Sequence, residues 1–221
     1  MDHNEKSVRQ IPLKLLIASA LFIIALLLFF TLMKIVVLDQ KDLFDQRVFN
    51  FFESLASDGL HRTMKLITFF GDTKFLLPAY CILVAWLLFR KKIRWAIDIS
   101  IIGLTGELMK QVLKHSFARP RPELPVYETL QSFSFPSGHA LSSFIFAACV
   151  IYLLWHGHYK THWRWIFSML LVVYALAVGM SRVILRYHYA SDVLAGFCIG
   201  FAWVMCSLYV LDKFYKSRAK K

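Results

Sequence analysis

Leu15 to Met33 is a run of 19 residues with no charged side chain, and it decides what this chain can become. A helix needs about 20 apolar residues to cross the hydrocarbon core of a bilayer. In lipid every backbone polar group must be satisfied internally, so such a run is helical. It is too long for the apolar region of a signal peptide, and no small-residue cleavage site follows it, so it reads as a retained first membrane helix. Five further runs have the same character, and the six lie at about 13–37, 73–90, 93–114, 138–156, 163–182 and 191–211. The second is the least regular. Pro78 interrupts it, and its helix is expected to reach back towards Arg62.

Composition agrees. The 221 residues are 58% hydrophobic and 16% aromatic, with a formal charge of +12. A positive excess can mark nucleic-acid binding, but here it falls in clusters between apolar runs. Lys6, Arg9 and Lys14 precede the first run, Arg90, Lys91, Lys92 and Arg94 follow the second, Lys160 and Arg164 follow the fourth, and Lys213 to Lys221 follow the sixth. With six spans all four clusters share one side, which the positive-inside rule makes cytoplasmic. Nucleic acid is therefore not an expected partner. The expected fold is all-α: a single membrane domain over 1–221 with six transmembrane helices and a basic, disordered tail from 216. Residues 43–55 place Leu43, Phe44, Val48, Phe51, Phe52 and Leu55 at helical spacing, with Asp45, Gln46, Arg47, Asn50 and Glu53 opposite, which predicts a helix lying in the outer interface. Cys81, Cys149, Cys198 and Cys206 all lie in apolar runs and read as free core residues.

Ionisable residues at membrane depth are costly and mark function. They gather in three stretches: KHSFARPRP with Lys114, Arg119 and Arg121, PSGH with Ser137, Gly138 and His139, and SRVILRYHYASD with Arg182, Arg186, His188 and Asp192. Six spans bring all three to the outer side. Lys and Arg together bind phosphate oxygens. A helix starting at Ser137-Gly138-His139 offers free N–H groups and the positive end of a dipole to an anion, and Gly138 admits close backbone approach. His139 and His188 can move a proton or attack phosphorus. Asp192, four residues after His188, can hold its ring. No acidic cluster is present to hold a metal, and no cofactor is expected. Glu107 shares a helical face with Lys110 and Lys114 and can orient either. Arg119 and Arg186 can reach a second phosphate or headgroup. His156, His158 and His162 read as a simple interfacial loop, and Gly196 and Gly200 as packing positions within the bundle.

Lys-x6-Arg-Pro (Lys114 to Pro122), Pro-Ser-Gly-His (136–139) and Ser-Arg-x5-His-x3-Asp (Ser181 to Asp192), in that order, resemble the type-2 phosphatidic acid phosphatase superfamily. That superfamily spans membrane lipid phosphatases, glucose-6-phosphatase and vanadium haloperoxidases. The resemblance implies His188 as nucleophile, Asp192 orienting it, His139 as general acid, and Lys114, Arg121, Ser137, Gly138 and Arg182 on the phosphoryl oxygens. The implied activity is hydrolysis of a phosphorylated lipid, such as phosphatidic acid, phosphatidylglycerol phosphate, undecaprenyl pyrophosphate or a lipid A phosphate, at the outer face of a bacterial inner membrane. The first spans and the interfacial helix are expected to admit its chains. The alternatives are a phosphotransferase using the same site and a non-catalytic lipid-binding or transport protein. The latter needs no nucleophile and acid.

Overall fold

The structure, a computed structural model, describes residues 13–218. Lys6, Arg9 and residues 219–221, where part of the basic clusters falls, lie outside them. Every regular element among the described residues is helical. They are α1 (Leu13–Met33, continued by a π-helical turn Lys34–Leu38), α2 (Leu43–Glu53), α3 (Asp58–Phe69), α4 (Thr73–Phe89), α5 (Ile93–Phe117), α6 (Gly138–His156), α7 (Thr161–Ile184) and α8 (Ala190–Arg218).

Four helical stretches are long and apolar enough to span a membrane: Leu15–Leu38, Gly138–His156, Thr161–Ile184 and Ala190–Arg218. A fifth is formed if α3 and α4, bent by 41° at a short break, count as one. The early start expected for the second span is thus a separate helix. Phe70 ends α3, and Asp72 caps α4 by accepting the Lys74 N–H at 2.8 Å. Pro78 lies in the second turn of α4 without ending it. Its outward faces are apolar throughout: Leu21, Ile24 and Leu27 of α1, Ile82 of α4, Leu170 and Val173 of α7 are all exposed. In water such a surface would drive aggregation; in hydrocarbon it is the ordinary surface of a bundle.

The interior centres on α6, which is flanked by α7 and α8 and backed by α5. Leu141, Ile145 and Cys149 of α6 pack with Leu87, Ile99, Ile102 and Val204. Small residues set the closest approach, as expected for Gly196 and Gly200. A Cβ on Gly196 would stand 2.8 Å from the Ser137 carbonyl oxygen, and one on Gly200 3.3 Å from the Phe144 ring. α1 lies on α8, where Phe29 is buried against Phe117 and Phe135. The four cysteines are free.

Two expectations are corrected. The tail is not disordered from 216, because α8 runs through Arg218. α2 forms where expected, but Asp45 is not on its solvated face. It is buried with Phe49, while Leu43, Phe44 and Phe51 are exposed. The reason is an ion pair that sequence spacing does not reveal.

Candidate active site

The bundle alternates direction, so the C-terminal ends of α5 and α7 meet the N-terminal ends of α4, α6 and α8. α5 stops after Phe117 because Ala118 takes a left-handed φ of 46°. Pro120 and Pro122 then keep the following chain extended. The chain returns along itself through Ser134 N–H to the Arg119 carbonyl (2.8 Å), and Ser137 N–H reaches the Asp192 carbonyl (3.0 Å). Arg182 lies in the last turn of α7, and its carbonyl takes the N–H groups of both Tyr187 and His188. These backbone bonds fix the three motif stretches against one another before any side chain is considered.

Between them is a cavity of about 250 Å³. Lys114, Arg121, Gly138, His139, Arg182 and His188 line it, together with Lys110, Asp72, Thr73 and Ser132. His188 is buried. Its Nδ1 lies 3.5 Å from Asp192 Oδ2 and 3.3 Å from Ser134 Oγ, while Nε2 lies 3.2 Å from Arg121 Nη1. Burial, then the nearby Arg121, Arg182 and Lys114, push the pKa of His188 well below the usual imidazole range. The ring is thus held neutral, with a lone pair available. Asp192, fully buried behind it, accepts from Arg119 Nη1 at 2.6 Å, from the Tyr189 N–H at 3.0 Å and from Ser134 Oγ.

The other walls are cationic. Arg121 is pinned by the carbonyls of Ser132 and Tyr187. Arg182 donates to Thr68 Oγ1 at 2.7 Å and lies over the Tyr187 ring. Lys114 Nζ donates to the Phe133 carbonyl at 2.9 Å. Gly138 sits close to the lysines, since a Cβ there would meet the Lys110 stem at 3.0 Å. His139 Nε2 is 3.7 Å from Asp72 Oδ2. Ser137 Oγ and Arg182 Nε are the buried side-chain polar atoms without a hydrogen-bond partner among the described residues. Such atoms cost about 1–3 kcal/mol each. Their place beside a cationic cavity at a helix N-terminus fits an anion as the missing partner.

Three residues fall elsewhere. Arg119 does not reach the cavity but joins Asp192 to Asp45, which removes it as a contact for a second phosphate. Arg186 lies over the Phe49 ring and lines a separate pocket between α2, α3 and α7. Glu107 pairs with Lys110 at 2.5 Å and accepts from Gln111 at 3.0 Å, and it meets the cavity through these two residues. Lys110, Ser134, Asp72, Thr68 and Asp45 complete the arrangement without having been assigned roles from sequence. Lys110 was the legible one, a turn before Lys114 on the same face. An apolar cavity of about 460 Å³ between α4, α5 and α6 adjoins the site, and Thr73 lines both. Of the elements expected to admit the lipid chains, α4 lines it and α1 and α2 do not. Among the described residues no three His, Cys, Asp or Glu side chains converge, and His156 bonds its own helix at Tyr152.

Fold and site together define an integral-membrane helical protein with a histidine-bearing, cationic cavity at one end of its bundle. The family model of the PAP2 superfamily matches residues 95–216. Phosphatidylglycerophosphatase B of Bacillus subtilis (strain 168) is 32% identical over 167 residues, covering 73% of this chain and 78% of that protein. The bacitracin transport permease protein BcrC of Bacillus licheniformis is 29% identical, covering 66% and 68%. The crystal structure of a transmembrane PAP2-type phosphatidylglycerolphosphate phosphatase from Bacillus subtilis superimposes with a TM-score of 0.73 at 27% identity, covering 90% of this chain and 96% of that one. The chain belongs to the PAP2 superfamily and is a phosphoric-ester hydrolase of the type-2 phosphatidic acid phosphatase kind.

Proposed function

We propose that this protein is a metal-independent lipid phosphate phosphatase working through a phosphohistidine at the extracytoplasmic face of a bacterial inner membrane. The carrying observation is His188, with Asp192 and Ser134 at Nδ1 and Nε2 beside Arg121 in a cavity walled by cations and a second histidine. His188 Nε2 attacks phosphorus and the phosphorus–oxygen bond to the lipid breaks. His139 gives its proton to the leaving oxygen, releasing the lipid alcohol. Water then attacks the phosphohistidine while His139 takes back a proton, the phosphorus–nitrogen bond breaks, and phosphate and free His188 result. Asp192 stabilises the ring as it becomes cationic. Lys114, Arg121, Arg182, Ser137 and the Gly138 N–H hold the charge of the transition state, each donor worth about 10²–10³ in rate.

α5 completes six spans. At 25 residues it is long enough, at about 1.5 Å per residue, to cross a bilayer. The clusters Arg90–Arg94, Lys160–Arg164 and Lys213–Arg218 then lie on the cytoplasmic side, and α2 lies in the outer interface with Phe44 and Phe51 towards lipid. The adjoining apolar cavity suits the lipid's chains. Phosphatidylglycerol phosphate is the leading substrate, by likeness to the Bacillus phosphatase, with undecaprenyl pyrophosphate, phosphatidic acid and lipid A phosphates as the panel around it.

The test is phosphate release by detergent-purified protein from that panel with EDTA present, wild type against His188→Ala. Release that survives EDTA and is lost in the variant supports the mechanism. Equal release by both removes His188 as nucleophile, and phosphoryl transfer to an added acceptor alcohol without release of free phosphate makes the protein a phosphotransferase.

A further inference from the structure

α2 precedes the segment matched by the family model, yet one of its side chains reaches the polar centre of the protein. Asp45 is 1% exposed. Its Oδ1 accepts the Ser191 N–H at 2.8 Å, and its Oδ2 accepts Ser191 Oγ at 2.6 Å and Arg119 Nη2 at 3.0 Å. The same guanidinium gives its other nitrogen, Nη1, to Asp192 Oδ1 at 2.6 Å and to Ser191 Oγ at 2.9 Å. Its face rests on the Tyr189 ring at 3.9 Å, which leaves it one orientation. An unbroken line of contacts therefore runs from Asp45 through Arg119 to Asp192 and on to His188.

The charge balance gives that line a purpose. Arg119 is the cation bonded to Asp192. Standing alone it would neutralise that carboxylate, and a neutralised Asp192 does little for an imidazole that must become cationic. Asp45 takes half of the guanidinium. Two carboxylates then face one arginine and the N-terminus of α8, worth about +0.5 charge. Negative charge is left over, and Asp192 carries it to His188. We infer that Asp45 is a positioning residue for the reaction: through Arg119 and Ser191 it sets the place and effective charge of Asp192, and so couples the first outer segment to the nucleophile.

This rests on His188 acting as the nucleophile, so His188→Ala is run beside the test. Asp45→Asn keeps an acceptor for the Ser191 N–H and removes the charge. Its kcat should fall about 10–100-fold, the range seen when outer partners of functional histidines are lost, while KM stays within about threefold because Asp45 is remote from the cavity. Phe49→Leu loosens the docking of α2, and with it the packing of Phe49 on the Tyr189 ring, but removes no hydrogen bond or ion pair of the network, and its kcat should stay within about threefold. In an Arg119→Gln background there is no guanidinium left to balance, so adding Asp45→Asn should cost less than about threefold. The double variant also buries no unpaired arginine, which keeps the test open if Asp45→Asn alone folds poorly: its kcat must match that of Arg119→Gln.

The inference is overturned if Asp45→Asn keeps kcat within threefold, if Phe49→Leu loses as much as Asp45→Asn, or if the loss is the same with and without Arg119. If His188→Ala is still active, the underlying mechanism fails instead. If His188→Ala is dead and Asp45→Asn is normal, only the coupling fails.

Discussion

Gly138→Ala separates the site's chemistry from its packing, because the two should respond differently. Gly138 opens α6, and its φ is not positive, so alanine is conformationally acceptable there. In a helix interior that exchange would gain roughly 0.5–1 kcal/mol, and less at this first position. The new Cβ would stand 3.0 Å from Lys110 Cδ and 3.4 Å from Lys114 Cε. Ordinary carbon contacts lie near 3.5–4.0 Å, so the Lys110 stem must retreat by about 0.5 Å and the Lys114 stem scarcely at all. Stems are flexible, which puts the strain at the low end of the roughly 1–3 kcal/mol of overpacking. The expected net loss of stability is below about 2 kcal/mol. Function should suffer more. The methyl group occupies the backbone's line of approach to phosphate, and a displacement of about 1 Å can cost 10²-fold. The expected result is a roughly hundredfold fall in kcat/KM with the thermal midpoint in detergent nearly unchanged. Phosphate release and a thermal melt on one preparation decide it. Activity within threefold of wild type would refute the claim that backbone approach at Gly138 is needed. A collapsed midpoint would make the glycine a packing residue.

Gly196→Ala should behave in the opposite way. Its Cβ would meet a backbone oxygen, that of Ser137, at 2.8 Å, and backbone cannot swing aside, so a loss of about 1–3 kcal/mol is expected, read as a lowered thermal midpoint with activity falling in step. His188 makes a pH prediction. Its folded pKa lies well below the ordinary value, whereas in the unfolded chain it gains a proton near pH 6.5. Its contribution to stability is therefore complete above that pH and declines as pH drops below it, at up to about 1.4 kcal/mol per unit. Thermal midpoints between pH 7.5 and 5 should show a steeper acid decline for wild type than for His188→Asn, and equal slopes would contradict the burial argument.

Helix positions were legible because apolar runs of this length have few other solutions. α1, α6, α7 and α8 follow the uncharged runs, and the break before α4 follows from Asp72 acting as a cap. The residues gathered around the cavity were legible for a different reason: Arg121, His139 and Arg182 adjoin a motif proline, glycine or serine, and Lys114 and His188 stand at fixed spacing from them near helix ends. What spacing could not reveal is which residue of a distant segment completes each one. Thr68 meets Arg182 across 114 residues, and Asp45 meets Ser191 across 146. On sequence periodicity Asp45 belongs to the wet face of an amphipathic helix. The arrival of Arg119, carried there by the left-handed turn at Ala118, together with the N–H and hydroxyl of Ser191, makes burial tolerable for it.

α5 shows why hydropathy alone falls short here. It carries Arg94, Asp98, Glu107, Lys110 and Lys114 in 25 residues, and it is the long helix that fails the apolar criterion. Each of these charges has a local reason. Asp98 accepts from Tyr215 at 2.9 Å near Arg94, which lies over the Tyr215 ring. Glu107 holds Lys110, and Lys110 with Lys114 walls the cavity. Ile97, Ile101, Leu104, Leu108 and Val112 of α5 are apolar and exposed. The apolar residues recur every three or four positions on one face, while Asp98, Lys110 and Lys114 are buried and Arg94 stays exposed near the first turn. α5, on the six-span reading with a phosphate site in the cavity, cannot be uniformly apolar, because charge is tolerated at that depth only when it is paired or facing a polar cavity. On the six-span reading, the failure of α5 to look like a span is the signature of the helix that carries the chemistry.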